Sequence, residues 1–108
     1  MPTKWETYID GLKDDAGTLA KEELKKLVND VSNDSDQFIR EQGKKMAKYL
    51  TQLASGNITK EQFKGNIEDI RDLAEMKKLE LSVAAKASAQ RIISGISNLM
   101  IDGLLKLL

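Results

Sequence analysis

Cysteine and histidine are both missing from this chain of 108 residues. Without cysteine there are no disulfides and no thiolate nucleophiles, and without either residue the usual ligands of zinc, copper and iron are gone. The lack of histidine also removes the one side chain whose ordinary pKa falls near neutrality, which excludes the common acid–base and nucleophilic constellations. Proline occurs once, at Pro2, ahead of any expected element, so the rest of the chain is free to run long helices. An excess of one charge is lacking too. The 17 Lys+Arg balance 17 Asp+Glu, and such a surface has none of the one-signed field that draws nucleic acid or an anionic membrane. Nor does Met1 to Asp10 have the basic-then-apolar order of a secretory signal, because Glu6 and Asp10 interrupt it. A cytoplasmic location is the expectation.

What is present is apolar content of 41% arranged in helical rhythm, enough for one modest core in a single domain over residues 1–108. Trp5, Ile9, Leu12 and Ala16 recur at steps of four, three and four, one face of a helix, with Trp5 as a core anchor. Gly17 reads as a helix end and Thr18 as the cap of a second helix with the stripe Leu24, Leu27, Val28 and Val31, although one bent helix fits the same residues. Asn29 to Asp36, NDVSNDSD, is the most polar stretch and reads as a loop. From about Ser35 a further helix carries Ile39, Met46, Leu50 and Leu53, flanked by Phe38 and Tyr49, and stops at Ser55-Gly56-Asn57. Thr59 and Gln62 then form a capping box, with Ile58 placed to staple onto Phe63.

Beyond that box, Phe63, Ile67, Ile70, Ala74, Leu81, Ala85, Ser88, Ile92, Gly95 or Ile96, and Leu99 share one helical face, interrupted only at Lys77. The expected fold is therefore all-α: a bundle of three to four helices with one very long C-terminal helix over about residues 60–107, completed by oligomerisation. Such a rod would be roughly 70 Å long at 1.5 Å per residue. Gly95 and Gly103 are its candidate kinks or close approaches. In its C-terminal half a second apolar face appears, made by Met76, Leu79, Val83, Ala87, Ile101 and Leu105, roughly 180 to 240° from the first. Two apolar faces imply two neighbours.

The run Asp30 to Glu41 places Asp30, Ser32, Asp34, Asp36 and Glu41 at positions 1, 3, 5, 7 and 12 of a calcium-binding loop, but Ser35 stands where the turn wants glycine and Gln37 where an apolar residue belongs. A solvated loop whose Asp34 or Ser35 caps the next helix accounts for it with less. The carboxylates Asp10, Asp14 and Asp15 have a lysine nearby, Glu68, Asp69, Asp72 and Glu75 are interleaved or flanked by Arg71 and Lys78, and neither group has a histidine to complete a di-metal motif. Lysines 21, 25 and 26, and 44, 45 and 48, form two small clusters diluted by Glu22, Glu23 and Glu41, which disfavours nucleic acid. The tract Ile92 to Leu108 is too short to span a bilayer and holds Asp102 and Lys106.

These features point to a non-enzymatic helical assembly protein with no cofactor and no metal, self-associating through its C-terminal helix. The expected interface is Leu81, Ala85, Ser88, Ile92, Ile96, Leu99, Ile101, Leu105 and Leu108. Two other classes fit less well: a peripheral lipid-surface helix, and a subunit or adaptor for a different protein.

Overall fold

A computed structural model describes residues 4–11 and 18–101. All its regular elements are helical: α1 (Lys4–Asp10), α2 (Thr18–Ser32), α3 (Gln37–Ala54), α4 (Lys60–Lys77), a short 3-10 turn (Lys78–Glu80) and α5 (Val83–Ile101). The core lies where α2, α3, α4 and α5 meet, and α1 lays Trp5 and Ile9 onto it, chiefly against α3. Asp10 at the end of α1 accepts a 2.7 Å hydrogen bond from Lys25 on α2. That bond, then a second one to Glu22, holds the Lys25 ammonium protonated above its ordinary range. Leu12, Ala16 and Gly17, invoked from the sequence, lie outside the described residues.

Helix α2 buries the expected stripe Leu24, Leu27, Val28 and Val31, but it does not stop at Asn29. It runs to Ser32, so the expected loop over Asn29 to Asp36 shrinks to residues 33–36. Polar residues cost little here because Asn29 and Asp30 face solvent, while burial of Val31 holds the last turn onto the core. The Asn33 side chain donates to the Asn29 carbonyl, closing the helix end at 2.7 Å. Asp36, rather than Asp34 or Ser35, caps α3: its carboxylate accepts the Ile39 amide at 3.1 Å.

Helix α3 carries the expected face Ile39, Met46, Leu50 and Leu53. At its end Gly56 adopts φ +76, the Gly56 amide bonds the Leu53 carbonyl, and the Asn57 amide bonds the Gln52 carbonyl at 2.9 Å. This is a Schellman close, which uses glycine because other residues resist the left-handed region. The next helix starts at the capping box, with Thr59 Oγ1 accepting from the Gln62 amide at 3.1 Å and the Gln62 side chain accepting from the Thr59 amide at 2.9 Å. Ile58 is half-buried and packs against the core.

The expected single helix over residues 60–107 is replaced by two. The chain leaves helix α4 at Lys77, makes the 3-10 turn, and extends at Leu81 (φ -88, ψ 158). Ser82 then caps α5, its hydroxyl accepting the Ala85 amide at 3.2 Å. Helix α5 folds back onto α4 and also packs on α2, and the greatest dimension of the protein is 39 Å. The break falls where the apolar stripe has its gap, at Lys77, so ending the helix there sacrifices no buried contact. Reversal then lets Ala85, Ala89, Ile92, Ile93 and Ile96 meet the same core as Phe63, Ile67, Ile70 and Ala74, with each buried isoleucine contributing about 2 kcal/mol. An extended rod would leave that area in water unless a partner covered it. Gly95 lies within unbroken α5 and is a close approach, not a kink, because a Cβ there would collide with the Leu27 side chain. Gly103 lies outside the described residues.

One core position breaks the polarity rule. Gln42 falls in the α3 stripe between Ile39 and Met46 and is 1% exposed. Its amide nitrogen donates to the Phe38 carbonyl at 3.3 Å, while its Oε1 has no hydrogen-bond partner among the described residues. An orphaned buried acceptor costs about 1–3 kcal/mol, and an apolar replacement of like shape removes that cost. Gln42→Met is therefore expected to raise stability by about 1 kcal/mol in urea unfolding, with the slope of the transition unchanged.

Candidate functional site

The acidic run that resembled a calcium loop is committed to packing. Asp30, on the last turn of α2, accepts from Arg91 of α5 at 2.9 Å. Asp34 ties the α2–α3 connection together: one carboxylate oxygen accepts the Asp36 amide at 2.9 Å, and the other accepts the Ser88 hydroxyl of α5 at 2.7 Å. Asp36 is the α3 cap, and Glu41 accepts from Gln37 at 3.2 Å. The carboxylates point to different partners and do not converge. Among the described residues no group of three or more His, Cys, Asp or Glu is placed to hold a metal ion.

The other charged groupings are dispersed as well. On α4 Asp69, Asp72 and Glu75 are exposed and Glu68 is half-buried, with Arg71 beside Asp72 at 3.5 Å. Asp10 pairs with Lys25, and Asp14 and Asp15 lie outside the described residues. Of the first lysine group, Lys21 is buried, Lys25 is held between Asp10 and Glu22, and Lys26 is exposed. Lys44, Lys45 and Lys48 stand in solvent on the outer side of α3. Trp5 is 5% exposed, a core anchor.

The interface expected on the C-terminal helix is turned inward over much of its length. Ala85, Ile92 and Ile96 are buried within the chain itself, Leu81 packs against the core, and half-buried Ser88 bonds Asp34. The reversal at residues 78–82 presents Ala85, Ile92 and Ile96 to the core formed with α2 and α4, while Leu81 and Ser88 stay half-buried. Leu99 and Ile101 belong to the last turns of α5, and Leu105 and Leu108 lie outside the described residues.

The described part of the second apolar face has the opposite fate. Met76, Leu79 and Val83 are 72%, 82% and 86% exposed, grouped at the corner where α4 turns into α5. From that corner the exposed residues of α5, among those whose side chains are described, are Val83, Ala84, Ala87, Gln90, Arg91, Ser94 and Asn98. Arg91 is paired with Asp30, and no other member of the row carries charge. The outer rows of α3 and α4 differ: they show Glu41, Lys44, Lys45 and Lys48, and Glu61, Lys64, Asp69 and Asp72. A chain with 31% charged residues thus has one exposed helix face nearly free of them. Depletion of charge is the compositional mark of the centre of a protein interface. Spacing gave notice of this face, since it is the second apolar row of the sequence. Only the fold showed which of the two rows stays open.

Among the described residues no helix is long and apolar enough to cross a membrane. Comparison with protein families, curated proteins and solved structures finds no match to the chain.

Proposed function

We propose that this protein is a non-enzymatic helical interaction protein that self-associates through the outer face of α5 and the adjoining Met76–Leu79–Val83 corner. The observation that supports it most is the exposed row Val83, Ala87, Gln90, Ser94 and Asn98, none of them charged, on a protein otherwise dense in charge, with the Lys78 ammonium donating to Gln90 at 3.2 Å on its edge. A solvated helix face gains by carrying Lys and Glu, which keep it wet and repel copies of itself. A face that omits them is suited to burial against another surface. The large exposed side chains at the corner add apolar area that has no use in water.

Mass in solution tests the reading. Light scattering over a concentration series into the micromolar range is expected to show a dimer or larger species, and a clean monomer throughout refutes it. Val83→Glu is expected to shift the population to monomer with helix content unchanged, because an exposed site tolerates the charge in the free chain and only association must desolvate it. If the wild-type mass is that of a monomer and anionic phospholipid vesicles bind it, the lipid-surface alternative replaces this one.

A further inference from the structure

We infer that the α4–α5 hairpin is built to open at residues 78–82, straightening into one helix from Lys60 through Asn98 and exchanging α5 between two copies of the chain. Each copy then seats the other's α5 on its own α2 and α4. The exchange does not use the outer face of α5, so it stands or falls apart from the association proposed above. Its first support is that the buried rows of α4 and α5 keep one phase across the break. At ~100° per residue along a continuous helix, Phe63, Ile70 and Ala74 before the turn and Ala85, Ile92 and Ile96 after it fall within about 80° of arc, and all six are buried in the folded-back form. A hairpin makes no demand on this phase, because α5 could meet the core with any row once the chain has reversed. A straight helix does require it.

The turn is also written in helix-forming residues. Lys78, Leu79, Glu80 and Leu81 include no proline, glycine or β-branched side chain. What bends the chain is local: Leu81 is extended, and the Ser82 hydroxyl caps α5 by accepting the Ala85 amide at 3.2 Å. Lys77 and Glu80, paired at 3.5 Å, stand three residues apart and keep that neighbour spacing in a straight helix. The contacts that α5 makes within its own chain are all available from a copy. Ile92 and Ile96 bury against the same surfaces, and Ser88 and Arg91 find the same carboxylates, Asp34 and Asp30, there. Exchange therefore costs the cap and the entropy of association, while straightening restores helical hydrogen bonds over the turn. Swapping an identical element is a low-cost route to a dimer, and a short hinge favours it.

The absence of native cysteine lets spin labels on Glu61→Cys and Asn98→Cys in one chain read the state directly, and both sites are exposed. In the hairpin they return to one end of the α4–α5 pair, roughly 10–20 Å apart. In a continuous helix the same two sites stand about 56 Å apart. Labelled chain refolded from urea with an excess of unlabelled wild type is expected to show the short distance when dilute, and a growing share of the long one as total protein is raised. Ser82→Ala, which removes the cap, is expected to enlarge that share several-fold. Val83→Pro is expected to reduce it by about a hundredfold or more, because proline is accepted as the first residue of α5 but interrupts a helix that runs through it. The long distance present in wild type or Ser82→Ala and lost in Val83→Pro supports the exchange. Its absence from both at every concentration, or its persistence in Val83→Pro, overturns it. A dimer with only the short distance overturns the exchange and leaves outer-face association standing. A long distance that persists in Val83→Glu, beside a closed form of wild type that stays monomeric, does the reverse.

Discussion

Gly43→Ala is expected to lower stability by about 2 kcal/mol or more, with a fall in melting temperature on the order of 10 °C. Gly43 is where α3 crosses the end of α2. A Cβ built there would sit 2.6 Å from Ser32 Cα and 2.6 Å from the Val31 carbonyl carbon, and closer still to the Ser32 amide nitrogen. These are main-chain atoms of a packed helix, so no rotamer change relieves the overlap and the helices must separate. Alanine improves intrinsic helix propensity by about 1 kcal/mol, which offsets only part of a steric cost of roughly 3 kcal/mol. Gly65→Ala supplies the control. Gly65 is exposed in the interior of α4 with nothing within 4 Å of its would-be Cβ, so only the propensity gain applies and stability should rise by about 0.5–1 kcal/mol. Thermal and urea unfolding of the two variants should therefore move in opposite directions. A neutral Gly43→Ala would mean that α2 and α3 do not cross this closely.

Ile92→Ala is expected to cost about 2–4 kcal/mol, and by the same amount at every protein concentration. Ile92 is fully buried on the inner face of α5, within the region that packs on α2 and α4. Removing its side chain leaves a cavity inside one chain. If the residue instead formed a contact between copies, its loss would weaken association and the deficit would depend on concentration. Melting curves at two concentrations well apart, read beside the mass of the variant, separate the cases. An effect under about 0.5 kcal/mol would contradict the folded-back position of α5.

Which residues turn inward was largely legible from spacing alone. The rows through Leu24, Ile39 and Phe63 are periodic at 3.6 residues, and a row of that width has no stable place except against another apolar row. The capping box at Thr59 and the glycine close at Gly56 were equally legible, because both are local: they satisfy orphaned amides and carbonyls within a few residues of chain. Gln42 and Gly43 were not. Nothing local distinguishes a glutamine in an apolar row from one at its edge, or a glycine that is merely tolerated from one pressed against a neighbouring backbone.

The sequence by itself determined that the chain is helical, that α3 closes at Gly56 and α4 opens at the Thr59 capping box, and which side of each helix is apolar. It also showed two apolar rows in the final third. The tertiary structure alone decided that this third is a hairpin of α4 and α5, and so which row is spent inside the chain and which stays in water. The turn at residues 78–82 has no proline or glycine to announce it. It exists because reversing there buries Ile92, Ile93 and Ile96 against α2 and α4, a gain that depends on elements distant in the chain and outweighs the few helical hydrogen bonds lost at the break.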